Sequence, residues 1–409
     1  MSASTMLRGH IGSRGAAAVA LLLIGVVATP AQADSFSDKQ WHLSAMKADQ
    51  MWQTSTGKGV TVAVIDTGVD DKQQDLRGRV LPGLDEAPKS AGDEHTDYDG
   101  HGTGMAILIA GAKGSGGLAP AAKILPIRLA DRGLDSGRYT KEFNETVSAG
   151  IRHAVDSGAR VINISMRAFE GSKQLTSAVK YALDKGALVF AGVGNNGDSD
   201  LEYPAATPGV VAVGAIGKNL RKTKESQYGP QVDVAAPGEE IYSTCNTGAG
   251  LCKSHGTSDA TALASASAAL IWSKHPNWTN NQVLRVMLNT IGAPTDGSKR
   301  NDSIGYGVVR PRVALENPGD PGPADEYPLP DLKQASTASP TPSTPKPGSG
   351  SGTGEENQPK NRPAASASSS SDDSSNTTLM VSLGVGAVAV IGGALIAMAL
   401  RKRRHTASS

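Results

Sequence analysis

The sequence predicts an α/β fold, a doubly wound and mostly parallel sheet with helices on both faces. Three observations carry that expectation. Short runs of Val, Ile, Leu and Ala recur from Gly59 onward with little polar alternation, which is the pattern of strands covered on both sides. Longer amphipathic stretches lie between some of these runs. Those stretches end near glycines, which stop a helix by taking left-handed geometry at no steric cost.

In chain order, "VTVAVIDTG" (60–68) is a buried strand ending in a turn, and "KILPIRLA" (123–130) is another. "RVINISM" (160–166), "ALVFAGVG" (187–194), "VVAVGAI" (210–216) and "VDVAAPG" (232–238) are further strands. Lys141 to Asp156 and Ser172 to Lys185 have helical apolar spacing, closing near Gly158 and Gly186. No repeat of solenoid period interrupts this order.

In such sheets functional groups collect at the carboxyl ends of strands, where loops leave a rigid scaffold. Asp66 closes "VAVID" before Thr67-Gly68, either as an Asx-type turn residue or as a carboxylate fixed at the sheet edge. "DGHGTGMA" flanks His101 with Gly100 and Gly102, letting the imidazole approach another group closely. "FAGVGNNG" ends a strand on Asn195, a turn former or a donor aimed at developing negative charge. "SHGTSDATALASA" (254–266) puts Ser258 before a run of small residues suited to a close-packed helix. Ser258 is thus a helix cap or a nucleophile.

The ends of the chain carry addressing signals. Arg8 and Arg14 precede an apolar stretch, Ala16 to Ala28, and Ala31-Gln32-Ala33 supplies small cleavage-site residues, predicting a signal peptide over 1–33. Residues 34–58 form an amino-terminal extension and 59–316 the main domain. From 317 to 376 the composition turns to Pro, Ser, Thr, Gly and charge, predicting a disordered stalk. Residues 377–400 predict a transmembrane helix: Leu379 to Leu400 is free of charge, and at about 1.5 Å per residue it reaches roughly 30 Å. Arg401-Lys402-Arg403-Arg404 opens a basic tail, 401–409, on the cytoplasmic side. These signals predict a single-pass protein of the cell membrane with its main domain on the extracellular side. The spacings Ala389/Gly393 and Gly393/Ala397 permit close helix packing in the membrane.

A net charge of +1 gives no reason to expect nucleic acid as a partner. Only two cysteines exist, Cys245 and Cys252, and an even count in an exported chain favours a disulfide between them. Two thiols without further ligands at suitable spacing support no metal site, and no cofactor is expected. The acidic cluster Asp93, Glu94, Asp97 and Asp99 either recruits a cation or a basic side chain, or is a solvated loop.

Taken in order, Asp66-Thr67-Gly68, His101-Gly102-Thr103, Asn195 and Gly256-Thr257-Ser258 form a set that resembles the subtilase family of serine proteases, over about Gly59 to Asn317. "VINIS" and "DVAAPG" are similar to structural segments of that family. The likeness is closer to the mycosins, membrane-anchored subtilases associated with type VII secretion. Gln40 to Asp70 resembles their amino-terminal extension running into the Asp motif, and the signal peptide, stalk and single span complete the layout.

The resemblance implies an endopeptidase in which Ser258 attacks, His101 moves the proton, Asp66 fixes the imidazole tautomer, and Asn195 receives the oxyanion with the Ser258 N–H. It implies a protein or peptide substrate, the membrane and a membrane secretion complex as partners. A structural role in such a complex, with proteolysis dispensable, is the alternative. Ser165, Met166 and Arg167 stand where many subtilases carry Ser-Leu-Gly-Gly beside the substrate. Arg167 in place of glycine narrows that groove, contacts an acidic substrate group, or is a solvated loop residue.

Two positions depart from the family's Gly-Thr-Ser-Met-Ala-x-Pro. Asp259 replaces Met in the first helical turn, where the dipole favours a carboxylate by ~0.3–1 kcal/mol but the charge opposes a nearby oxyanion. Ala262 replaces Pro and restores a helical N–H, predicting a less kinked helix. His255, three residues before Ser258, lacks the glycine-flanked setting of His101. The segment from 34 to 58 is too short for the folding prodomain of many secreted subtilases.

Overall fold

The computed structural model describes residues 36–130, 137–245 and 250–333. The expected signal peptide, transmembrane span and basic tail lie outside the described residues, as does the stalk beyond Lys333. Among the described residues no helix is long and apolar enough to cross a membrane.

Strands β1 (Thr61–Asp66), β2 (Leu84–Asp85), β3 (Lys123–Arg128), β4 (Val161–Ile164), β5 (Leu188–Gly192), β6 (Val210–Ile216) and β7 (Val234–Pro237) form one sheet in the order β2-β3-β1-β4-β5-β6-β7. Every pairing in it is parallel. β8 (Ile241–Thr244) and β9 (Leu251–Ser254) make a separate antiparallel pair. From β1 the chain goes to the outer β2, returns through β3 beside β1, and then crosses to β4 on the other side, so the strand order reverses there. The crevice at such a reversal is where α/β sheets place ligands.

Side-chain alternation divides the core into two layers. Val62, Val64, Val161, Leu188, Phe190, Val211 and Val213 face one cluster, while Ala63, Ile65, Ile162, Ile164, Val189 and Ala212 face the other. The first layer is covered by α4 (His101–Ala110) and α7 (Thr257–Lys274), which are buried on nearly all sides. The second is covered by α5 (Gly137–Asp156) and α6 (Lys173–Asp184), whose polar sides face solvent. α7 passes through the middle because Ala, Ser and Thr dominate it. Its hydroxyls are satisfied locally, Thr261 donating to the Thr257 carbonyl and Ser267 to that of Leu263, both at 2.7 Å. α7 runs unbroken past Ala262.

After α1 (Phe36–Lys39), the amino-terminal extension joins the first core layer through α2 (Trp41–Met46) and α3 (Ala48–Met51), with Leu43, Met46 and Met51 buried. Buried His42 bonds the Gly116 carbonyl at 3.0 Å, and burial pushes its pKa down to about 4, so it is neutral.

Residues 317–333 follow α8 (Asn280–Asn289) and α9 (Pro311–Glu316). They lie against the domain: Leu329 is 1% exposed, Tyr327 donates to the Gly209 carbonyl at 3.0 Å, and Arg285 donates to the carbonyls of Pro321 and Pro323. Two or three anchoring side chains suffice to hold a segment whose average composition is polar.

Candidate active site

Asp66 ends β1 and is wholly buried. Its Oδ1 accepts from the Thr67 N–H at 2.8 Å and faces His101 Nδ1 at 2.7 Å. His101 opens α4, with Gly100 as the N-cap at φ 84°. Gly102 is required for this approach: a Cβ there would stand 2.2 Å from the Gly68 carbonyl oxygen and 3.0 Å from Asp66 Cβ. The Thr67 hydroxyl accepts from the Gly102 N–H at 3.0 Å, tying the strand end to the helix start.

Asp97 braces the same junction. One of its oxygens accepts from the Thr67 hydroxyl and the Gly100 N–H, each at 2.8 Å, and the other from the Thr103 N–H and hydroxyl. Asp93 and Asp99 accept backbone N–H bonds in their own turns. The acidic cluster therefore holds loop geometry, and among the described residues no group of His, Cys, Asp and Glu is arranged for a metal ion.

Ser258 lies in the first turn of α7 but does not cap it. Gly256 holds the cap position at φ 123°, and the Ser258 hydroxyl donates to the Ser165 carbonyl at 3.3 Å. The Ser165 hydroxyl in turn donates to the Ser258 carbonyl at 3.3 Å, and Asn163 Nδ2 donates to Ser165 at 3.1 Å. A cleft of about 290 Å³ brings His101, Ser258 and Asp259 together with residues of the β8–β9 pair. A disulfide joins Cys245 to Cys252 across that pair, with Cα atoms 4.8 Å apart.

Asn195 follows β5. Its Oδ1 accepts from the Thr257 N–H at 2.9 Å and the Thr257 hydroxyl at 3.1 Å, which fixes the amide and leaves Nδ2 as the outward donor. The sequence places Thr257 in the serine motif but assigns it no role. Its only sequence signal is its place beside Ser258, because its partner lies 62 residues away.

The charges around the imidazole are strong. Asp66 foremost, with Asp259 and Asp99 adding, pushes the His101 pKa up to about 9 against the opposing effect of burial. Asp259 is 1% exposed, and burial pushes its carboxyl up to about 6 although Ser254 hydrogen-bonds it. His255 also lines this cleft, but it is exposed and its Nδ1 pairs with Glu225 at 3.0 Å. Arg167 is not a solvated loop residue: it forms an ion pair with buried Glu202. Met166 packs at the edge of the second core layer.

A buried carboxylate bonded to an imidazole, with a hydroxyl and a fixed amide donor close by, is an arrangement suited to acyl transfer. The comparisons agree with that chemistry. The model of the subtilase family matches residues 57–307. Thermitase of Thermoactinomyces vulgaris is 37% identical over 249 residues, covering 60% of this chain and 86% of that protein. Among solved structures, MycP1 from Mycobacterium smegmatis aligns with a TM-score of 0.63 at 29% identity, over 71% of this chain and 88% of its own. The MycP3 protease from the type VII (ESX-3) secretion system aligns with a TM-score of 0.60 at 34% identity, over 67% and 87%.

Proposed function

This chain belongs to the subtilase family of serine proteases, and from that premise we propose that it is an exported, membrane-anchored endopeptidase working through Asp66, His101 and Ser258. The observation that carries the proposal is the 2.7 Å contact between the buried Asp66 carboxylate and His101, in a cleft shared with Ser258.

In this reading rotation of the Ser258 side chain takes its hydroxyl from the Ser165 carbonyl to His101 Nε2. As Oγ bonds to the substrate carbonyl carbon, the imidazole takes its proton. Asp66 holds Nδ1–H and balances the imidazolium. Negative charge gathering on the carbonyl oxygen meets Asn195 Nδ2 and the Ser258 N–H. The imidazolium then passes its proton to the departing amine, the C–N bond breaks, and water releases the acyl group by the reverse sequence.

The signal peptide, stalk and hydrophobic span support placing the domain outside the cell on a membrane tether, and the likeness to MycP1 and MycP3 supports association with a type VII secretion system. Hydrolysis of a denatured protein tests the activity. The chain is expected to release internal fragments and Ser258→Ala none, at equal thermal stability. Equal fragmentation by both would overturn the assignment. For the tether, the full chain is expected to stay in the membrane pellet through an alkaline carbonate wash, and its release would overturn that part.

A further inference from the structure

The cleft beside Ser258 is walled by α4, through Met105 and Leu108, and by the β8–β9 pair, through Thr244 and Cys252. His101 borders it, while Asn195 and Ser165 do not, so it lies on the imidazole side of the proposed nucleophile. The departing amine takes its proton from His101, which brings the residue that carries this amine against the same cleft.

The charges bordering the cleft do not balance. Two carboxylates, Asp99 and Asp259, line it, and among the described residues no lysine or arginine does. Its two imidazoles have carboxylates of their own: His101 bonds Asp66 at 2.7 Å and His255 bonds Glu225 at 3.0 Å. The neutral His101 required for attack carries no charge to offset a further acid. Asp99 is exposed, so water solvates it, and it also accepts from the His101 N–H at 3.2 Å. Asp259 has no such relief. It is 1% exposed, and its Oδ2 is buried without a hydrogen-bond partner. A buried carboxylate with one oxygen unmet is costly, and an arriving cation removes that cost. Because the charge is buried, its attraction reaches the cleft with little screening by water or salt.

Resting on the protease reading above, we propose that Asp259 is a specificity-determining residue, and that the cleft takes a lysine or arginine side chain from the substrate residue that follows the cut. Met105, Leu108 and Cys252 offer apolar contact to the aliphatic stem, and the carboxylate of Asp259 draws the cationic head. A neutral side chain of the same length gains the first contact and not the second. An acidic one is repelled by Asp99 and Asp259 together.

The test uses peptides that differ only at the residue after the cut, which is lysine, norleucine or glutamate, with the cut position verified by mass spectrometry. Norleucine keeps the stem and lacks the ammonium group. In the unsubstituted chain kcat/KM should favour lysine over norleucine by about 10–100-fold, the scale of one hydrogen bond to a charged group. Asp259→Asn, nearly equal in size, should bring that ratio close to one. Asp99→Asn should change it by less than about 5-fold, the scale of an exposed ion pair. Ratios taken within one protein cancel the influence of Asp259 on His101. Fluorophosphonate labelling, which calls on no cationic side chain, is run on each protein. A chain that labels but shows no preference for lysine, or an Asp259→Asn variant that keeps the preference, overturns the assignment of Asp259 alone. An unsubstituted chain that neither labels nor cuts overturns the protease reading and this inference with it.

Discussion

Thr257 donates both its backbone N–H, at 2.9 Å, and its hydroxyl, at 3.1 Å, to the amide oxygen of Asn195. The residue before the proposed nucleophile therefore sets which end of the Asn195 amide faces the cleft. The same Thr257 hydroxyl accepts from the Gly194 N–H at 3.3 Å, so the turn bearing the proposed oxyanion donor is fastened to the turn bearing Ser258.

Asn195→Ala is expected to lower kcat by about 10²–10³ with KM little changed, since the donor acts on charge that appears only in the transition state. Thr257→Val keeps the backbone bond but loses the hydroxyl, and should lower kcat by a smaller factor. Steady-state kinetics on both variants check the order, and a larger effect on KM than on kcat in either would contradict it.

The imidazole must be neutral to accept the Ser258 proton, and the His101 pKa is pushed up to about 9. The acid limb of kcat/KM should accordingly lie well above the ordinary histidine range. Asp259 contributes to that rise, so Asp259→Asn should move the limb to lower pH.

Asp259 also has a signed effect on stability. Its folded pKa of about 6 exceeds the ordinary aspartate value of 3.8, so the folded state binds the proton more tightly and stability falls as pH rises between those values. Asp259→Asn should be more stable than the parent at pH 7 by up to about 3 kcal/mol, with the gain fading below pH ~4. Chemical denaturation at two pH values measures it, and a pH-independent difference would refute this origin.

Removing the Cys245–Cys252 bridge with paired serines should cost about 2–3 kcal/mol on the chain-entropy scale for a short loop. Because β8 and β9 line the cleft beside Ser258, KM should rise as well. Melting curves and KM together check this.

A chain ending at Asn317 should melt at lower temperature than one ending at Lys333. It lacks Leu329, which is buried, and Asp331, which accepts from the Gly209 N–H at 2.5 Å. Equal melting temperatures would show that the segment contributes nothing.

Much of the scaffold was legible because buried parallel strands leave an unmistakable record: β1, β3, β4, β5, β6 and β7 all fall within short, mainly apolar runs. β2 has two residues, and β9 has two exposed residues among its four, so neither leaves such a record. Asp66, His101 and Ser258 stood out through their glycine and threonine neighbours. The bonds that support them did not, because the roles of Thr67, Asp97, Asn163 and Thr257 depend on partners that only long-range packing supplies. The burial of Asp259 and the pairing of Arg167 with Glu202 were equally hidden. A charged residue in a sequence carries no mark of the solvent it loses.

The most direct measurement is peptide mapping by mass spectrometry after reaction with a fluorophosphonate, which marks a serine only where its hydroxyl is activated by a base. One adduct is expected, on Ser258, formed far more slowly in His101→Ala and at an unchanged rate in His255→Ala. An adduct on another residue, no adduct on the folded chain, or labelling of Ser258 indifferent to His101 would contradict the proposed catalytic assembly.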